Sequence, residues 1–487
     1  MEGSMFNQKK FSILILLLIF AVFLFTACNA NSVSQASFTP TPSFKPGDPT
    51  ATPLGSEITN PSYIEGLEAY KAASYSEVVT LMSAAIKADP NSAPPYRYRG
   101  IAYWYLDDCA SGFADAEKAL SINPDYAEAW AIHGLLNECL GNTSQSLQDY
   151  QKALSIDPSL AFVHHNLAVH YSKSGDYENS LNEYRLAVAI DPYRTKAWSG
   201  EIKSLTNLER YDDCIITATT ALEVNPENWI VYADRALCEL ELSKFVEAVE
   251  DYKVYASRED VDDVIWYNMG VAQHESGDTL GAIASYTNSI NLNPSYYSVF
   301  VNRGNAYLDI NQYEDALEDF NSALNIGNFP SAYSGRGDAY LGLEMYDEAI
   351  ADYEMSISLM SNEIHPHPYC FLALAYFAAG RYQDSIDAAE ISQQIDPECG
   401  GQRLIETQAR SFYALGEYDQ GLLYINKAID MKPYSLGYYY RGIMLHDAGR
   451  NYDAIQDLEK FLSLIPSNED FLSEIADANA RLSKLKP

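Results

Sequence analysis

Seven cysteines and eight histidines are the residues of this 487-residue chain best suited to chemistry. Cys28 stands in FLFTACNANS, residues 23 to 32, where an apolar run ends and polar residues begin. The other six form three sequential pairs, Cys109/Cys139, Cys214/Cys238 and Cys370/Cys399, separated by 30, 24 and 29 residues. No CxxC occurs, so neither a redox motif nor a zinc knuckle is indicated. His164 and His165 are adjacent, and on a helix neighbouring side chains diverge by about 100°, so they do not chelate one metal together. His365 and His367 fall in EIHPHP, a connecting stretch, and make a weak metal candidate at most. There is no GxGxxG opening a βα unit, no Walker loop, no HExxH and no GxSxG. Carboxylates abound, but catalysis needs them in a cleft that tunes their pKa, and abundance does not supply one. The expectation is a chain without catalytic residues, bound metal or cofactor.

These residues are placed by two different kinds of sequence. Lys9 and Lys10 precede an apolar run from Phe11 to Phe25 that only Ser12 interrupts. A basic start, a short apolar core and small residues after it read as an export signal. The run falls short of the roughly 20 residues of a spanning helix. Phe25-Thr26-Ala27-Cys28 resembles the bacterial lipobox, with Phe25 where that family usually has an aliphatic residue. The resemblance implies that residues 1–27 are removed, that the Cys28 thiol receives a diacylglycerol, and that the new amino terminus is acylated with a palmitate-like chain. An uncleaved signal anchor or plain secretion are the alternatives. Residues 28–62 are rich in Ser, Thr and Pro, cannot build a core, and read as a tether. A lipid-anchored position on the membrane, outside the cytoplasm at the bacterial cell surface, is therefore expected.

Acidic residues number 67 against 32 basic ones, a formal net charge of -35. That excludes the basic footprint of a nucleic-acid binder and disfavours lying flat on an anionic bilayer. With 13% aromatic residues, 38 of them tyrosines, the rest of the chain can bury a large core.

From residue 63 onward one pattern recurs. ALSINP, ALSIDP, AVAIDP and ALEVNP end at prolines 124, 158, 192 and 226, each 34 residues after the last. In residues 297–328, Phe300, Gly304 and Tyr307 share one helical face, and Ala316, Phe320 and Ala323 mark a second helix by spacings of four and three. Gly304 and Ala316 are expected to be small because two helix backbones approach there. Pro after the second helix stops it. This pattern looks like the tetratricopeptide repeat: Tyr96, Gly100, Tyr103, Ala116, Ala119 and Pro124 match its signature, as do Trp130, Gly134, Tyr150, Ala153 and Pro158. The resemblance implies an all-α solenoid, a right-handed superhelix of about twelve helix-turn-helix units over 63–468, with a capping helix in 469–487.

In that family the first helix of each unit lines a concave surface that holds a peptide or a partner helix. The positions matching that surface are Arg97, Trp104, Tyr105, Phe162, His165 and Lys173 near the start; Lys203, Tyr267, His274, Glu275, Asn305, Asp309 and Asp338 in the middle; and Arg403, Glu406, Arg410, Tyr413, Tyr439 and His446 near the end. Arg97 and Lys173 would grip a carboxylate. Cys109 and Cys139 both lie near the turn between two helices and are the favoured disulfide, whereas Cys214 reads as a small core residue at the usual alanine position. The expected function is a scaffold that binds a protein or peptide in the groove. A carbohydrate or cell-wall binding module and a self-associating spacer are the competing readings.

Overall fold

The computed structural model describes residues 60–258, 261–360, 365–465 and 471–486. Cys28, the apolar run and nearly all of the tether lie outside the described residues. The chain divides into two compact bodies, Met1–Arg258 and Glu259–Pro487. Among the described residues both are built of helix pairs alone.

The first body stacks six pairs: α1 (Pro61–Lys71) with α2 (Tyr75–Ala88), α3 (Ala93–Tyr105) with α4 (Cys109–Ile122), α5 (Ala127–Cys139) with α6 (Thr143–Ile156), α7 (Ala161–Lys173) with α8 (Tyr177–Ile190), α9 (Thr195–Asn207) with α10 (Tyr211–Val224), and α11 (Trp229–Glu241) with α12 (Phe245–Ala256). The second body stacks six more: α13 (Asp263–Glu275) with α14 (Thr279–Leu292), α15 (Tyr297–Asp309) with α16 (Tyr313–Ile326), α17 (Pro330–Gly342) with α18 (Tyr346–Leu359), α19 (Pro366–Ala378) with α20 (Tyr382–Ile395), α21 (Gly401–Ala414) with α22 (Tyr418–Met431), and α23 (Ser435–Asp447) with α24 (Asn451–Leu464). A last helix, α25 (Leu472–Leu485), packs on α23 and α24, with Ala478 fully buried against them.

The turn inside every pair reverses the chain through one residue in the left-handed region. Gly141, Gly175, Gly277, Gly380, Gly416 and Gly449 do this without strain, because glycine has no Cβ to clash. Ala73, Asp107, Glu209, Ser243, Asn311 and Glu344 adopt the same conformation at φ 56–60°. In most connections between pairs, an Asn or Asp before proline ends the helix and accepts a hydrogen bond from the backbone N–H two residues on, as Asn123 does from Asp125 at 3.1 Å and Asp157 from Ser159 at 2.8 Å.

Within a pair, small residues on one helix receive large ones from the other. A Cβ added to Gly304 would sit 2.8 Å from the Phe320 ring, and one added to Gly270 2.6 Å from the Tyr286 ring. Gly304 thus makes room for an aromatic ring, whereas the sequence suggested a backbone contact there. Phe320, Tyr286, Tyr150, Tyr252 and Tyr353 are essentially fully buried by this packing.

A charged clamp recurs beside these rings. Arg99, Arg235, Arg303, Arg336 and Arg441 occupy one position of their first helices, and each donates two parallel hydrogen bonds to an aspartate sixteen residues on. The partners are Asp115, Asp251, Asp319, Asp352 and Asp457, at 2.6–2.9 Å. A third donor of each guanidinium reaches back to the second helix of the preceding pair, to Ser83, Thr219, Thr287, Asn321 and Asn426. One arginine therefore ties three helices together.

Successive first helices also touch one another, α3 with α5, α9 with α11, and in the second body α15 with α17 and α19 with α21. Second helices pack on each other less, so within each body the first helices take the inner side of the stack. No helix among the described residues is long and apolar enough to cross a membrane.

Two stability outcomes are expected. Asp319→Ala, which strands the largely buried Arg303 guanidinium, should destabilise the α15–α16 region by about 3–5 kcal/mol, while Arg303→Met with Asp319→Leu should recover most of it. Amide exchange across α15 and α16 reads this, and equal protection in all three proteins would show that the clamp is idle. Glu344→Gly relieves a left-handed non-glycine residue and should slow exchange at the α17–α18 turn by up to about 1 kcal/mol.

Candidate binding face

Many polar side chains on the first-helix face are engaged by the next pair in the stack. Lys173 donates to Glu138 at 3.1 Å, joining α7 to α5. His274 meets Asp309 at 2.7 Å, joining α13 to α15. Tyr413 donates to Asp447 at 2.5 Å, and His446 and Arg481 converge on the same carboxylate, fixing α21, α23 and α25. Tyr439 donates to Asp477 at 3.1 Å. Glu406 accepts from Tyr434 at 2.6 Å and from Arg410, whose guanidinium lies over the Phe377 and Tyr440 rings at 4.7 and 4.5 Å. His164 is held on both ring nitrogens, by Glu183 at 2.6 Å and by the Pro158 carbonyl at 3.1 Å.

Several rings placed in the groove by sequence are packing residues. Tyr267 is 4% exposed, lies against Tyr286 and Tyr296, and accepts a hydrogen bond from Asn302, which corrects its assignment as a surface contact. Tyr105 stacks on Tyr75 with ring centroids 4.0 Å apart, and Trp104 meets Tyr105 edge-on beside the Ile101/Ile132/Leu136 cluster. Phe162 is half-buried against the Tyr150/Leu160/Val163 cluster. Glu275 and Asn305 are half-buried, and Arg403 is exposed.

Cys109 and Cys139 are bridged, joining the start of α4 to the end of α5 with Cα atoms 6.3 Å apart. Cys214 and Cys238 are bridged as well, between α10 and α11. Cys214 is fully buried and still in the core, but as half of a cross-link between neighbouring pairs.

What remains without partners is concentrated in the first body. Apart from Gln408 Nε2, every buried side-chain nitrogen or oxygen lacking a hydrogen bond among the described residues belongs to it. On its first helices these are Arg97 Nε, His165 Nδ1, Glu201 Oε2, Asp234 Oδ2 and Glu239 Oε2, with Tyr126, Asn228 and Arg194 in the adjoining connections, where Arg194 Nε lies 3.5 Å from the Asp191 carboxylate. The Arg97 guanidinium lies 4.3 Å over the Tyr98 ring, and burial opposes its charge while Tyr98, Tyr126 and Glu128 favour it. His165 meets Tyr184 edge-on, and burial followed by the Arg194 and Lys196 charges lowers its pKa from 6.5 to about 4. Burial raises the Asp234 carboxyl to about 6, against the pull of Lys203 and a hydrogen bond from Ser199. Arg194, Lys196, Ser199 and Asp234 were missed from sequence, although Ser199 holds the position that carries Arg97 and His165 in other pairs.

The second body holds a polar cluster that joins Ser334 to Asp338 and His367, two residues singled out from sequence in other roles. Ser334 Oγ lies 3.1 Å from His367 Nδ1, and His367 Nε2 lies 3.4 Å from Asp338 Oδ2. Asp338 further accepts from Tyr353 at 2.6 Å, and burial raises its pKa. The residue types match a serine nucleophile with its base and orienting acid. Ser334 lies inside α17, though, where backbone N–H groups are committed to the helix and cannot cradle an oxyanion. The cluster is a tie between α17, α18 and α19.

Two family models, each described as Tetratricopeptide repeat, match this chain. One covers residues 267–333, 301–359 and 406–469, and the other 127–160 and 163–194. The chain carries tetratricopeptide repeats at these residues and folds as an all-α tetratricopeptide-repeat solenoid. It is 29% identical over 106 residues to Tetratricopeptide repeat protein 6 of Homo sapiens, a match spanning 22% of this chain and about a fifth of that protein's length. Among solved structures, the APC/C hetero-tetramer Cut9-Hcn1 aligns at TM-score 0.43 and 12% identity over 89% of this chain and 97% of that one. A tetratricopeptide repeat protein from Parabacteroides merdae aligns at 0.39 and 19% over 52% and 98%, and pilF of Pseudomonas aeruginosa at 0.38 and 18% over 42% and 92%.

The His165 environment sets a pH dependence. The unfolded chain protonates this residue near pH 6.5, the folded one only near 4. Below 6.5 the unfolded state binds more protons, so stability falls as pH drops from about 6.5 towards 4 and is full above 6.5. His165→Gln removes this slope. Urea unfolding at about pH 7.5 and 4.5 should show the wild type losing up to about 3 kcal/mol more than the variant, and parallel profiles would place the imidazole in solvent.

Proposed function

We propose that this protein is a lipid-anchored scaffold outside the cytoplasm that binds a protein or peptide segment along the first-helix face of its first body. The observation that carries the binding reading is that buried polar atoms without a hydrogen bond recur along its first helices, Arg97 Nε on α3, His165 Nδ1 on α7 and Asp234 Oδ2 on α11. A buried donor or acceptor left unpaired costs about 1–3 kcal/mol, and an occupant that pairs it recovers that free energy. Arg97, His165 and the exposed Lys203 offer donors, and Asp234 Oδ2 offers an acceptor. Tetratricopeptide repeats are suited to holding such segments, which supports the same reading.

The anchored location rests on the FTAC stretch ending at Cys28 and on the two bridges in the first body. Disulfides persist in oxidising compartments and are rare in the cytosol. Two or three acyl chains would hold the chain firmly, where a single one binds only marginally. The Ser/Thr/Pro segment would lift the first helix pair clear of the headgroups, and the charge of -35 would keep the folded part off an anionic surface.

Two measurements test the two halves separately. Mass spectrometry of the protein made in a bacterial host should find an acylated amino-terminal Cys28, and Cys28→Ser should release the chain from the membrane fraction. An unmodified Cys28 in the membrane fraction would replace the lipid with an uncleaved anchor. For binding, crosslinked capture from native membranes is compared with a chain carrying Arg97→Glu, His165→Ala and Lys203→Glu. A partner depleted at least about tenfold by these changes, or roughly 1.4 kcal/mol, supports the face; partners recovered equally by both chains would sink it.

A further inference from the structure

We propose that Cys370 and Cys399 form a redox-active dithiol, a site that closes to a disulfide and reopens by exchange with disulfide-bearing molecules. It goes beyond scaffold binding and does not depend on the face in the first body.

The geometry is built by an irregularity in the repeat. Ala373 and Ala409 hold the same small-residue position in α19 and α21 but lie 36 residues apart, where the regular interval is 34. One extra residue lengthens the connection 396–400 between α20 and α21, and the other lengthens α21 at its start. That longer connection packs Cys399 against the cluster that holds the fully buried Cys370. Gly400 has φ +68°, and a Cβ there would lie 2.4 Å from Cys370 Sγ and 2.6 Å from Leu404 Cβ. Only glycine lets the backbone pass this close to the thiol. Gly401 follows at φ +50°, so the chain turns through two left-handed residues immediately after Cys399.

The two sulfurs are not equivalent. Cys399 is half-buried, whereas Cys370 is enclosed among Tyr353, Leu374 and Leu404. The Cys370 thiol, then Ser392 and the Gly400 N–H, hydrogen-bond to Cys399 and bring its pKa down to about 7, against burial and Asp396. Cys370 is pushed up by the same thiol contact and by burial, with Arg403 acting in the opposite direction. The more accessible Cys399 is thus the attacking thiolate and the enclosed Cys370 the resolving thiol.

The exchange balances as follows. The Cys399 thiolate attacks one sulfur of a disulfide RSSR, forming the mixed disulfide Cys399–S–SR and releasing RS⁻, which takes up the proton Cys399 had lost. Cys370, giving up its proton, attacks the Cys399 sulfur, forms the Cys370–Cys399 bond and expels the second RS⁻, which is protonated in turn. Two electrons pass from the protein to the disulfide, and two RSH leave. A dithiol or excess thiol runs the sequence backwards.

The test uses the full chain and glutathione. Protein equilibrated in glutathione and glutathione disulfide at graded ratios is acid-quenched, alkylated, digested and read by mass spectrometry. The expected result is a Cys370–Cys399 linked peptide that rises and falls reversibly with the ratio. In Cys370→Ser, Cys399 should accumulate as the glutathione mixed disulfide at least about tenfold above wild type, because its resolving thiol is gone. A serine at the buried position can disturb packing, so the wild-type titration also stands alone. No linked peptide at the most oxidising ratio would overturn the proposal, and so would a link that fails to reopen at the most reducing one. Cys399 remaining unmodified in the variant would overturn it as well.

Discussion

The arginine–aspartate clamp sets the register on which the rest of the stack depends. A guanidinium presents its donors in a fixed planar fork, and a carboxylate accepts two of them in one orientation only. Because the arginine sits on a first helix and the aspartate on the second, the pair can close only when the two helices are aligned to within a fraction of a turn. Slipping one residue along a helix moves a side chain about 1.5 Å and about 100° around the axis, which breaks both bonds. The third donor extends the alignment to the preceding pair through Ser83, Thr219, Thr287, Asn321 or Asn426. Buried ion pairs add little net stability over apolar substitutes, so the clamp's contribution is alignment more than depth. Other pairs meet the same need differently. His133 reaches Asp149 at 2.7 Å, and Arg185 on α8 reaches Glu201 on α9 with the charges exchanged. Leu167, Met269 and Leu372 fill the position with apolar side chains.

This alignment has a consequence for the inner side of each body. Once first helices are held at a fixed spacing, the residues near their carboxyl ends face the equivalent residues 34 or 35 positions away. Lys173 with Glu138, His274 with Asp309 and Tyr413 with Asp447 are all pairs of that kind. Each bond that closes the stack withdraws a polar side chain from any ligand. Architecture and recognition therefore compete for the same positions. In the second body architecture has taken most of them, while in the first body Arg97 Nε, His165 Nδ1 and Asp234 Oδ2 keep no hydrogen bond.

The period, the small-and-aromatic core and the helix pairing were legible because they follow from local spacing. The sixteen-residue interval from Arg99 to Asp115, repeated from Arg303 to Asp319, was equally visible, but charge pairs outside one helix carry no period of their own to draw attention. Groove membership could be read for Lys173 or His274; whether the side chain was free could not, since that depends on a partner a full repeat away. Asp309 illustrates this. It matched the inner surface by position, and its carboxylate is spent on His274. Tyr267 matched too, yet the neighbouring Tyr286 and Tyr296 rings enclose it. The cysteine spacings gave reach but not contact. Cys399 meets Cys370 where the repeat runs two residues longer than usual, a detail that the pairing of sequential cysteines does not reveal.

The mixture of signs in the first body narrows what its face can hold. A chain of net charge -35 would be expected to present carboxylates everywhere, yet Arg97, Arg194, Lys196 and Lys203 stand on or beside the first helices α3 and α9. Asp234 on α11 follows with its pKa raised by burial. An occupant that satisfies them must offer acceptors at one end and donors at the other, spaced by helix-pair intervals of about 10 Å. Neutral polysaccharide offers hydroxyls of both kinds but no countercharge, and a buried guanidinium paired only with hydroxyls keeps most of its desolvation penalty. A polypeptide segment carries backbone donors and acceptors together with charged side chains of either sign. The distribution of unpaired charge, more than the aromatic content, is what favours a peptide over a glycan on this face.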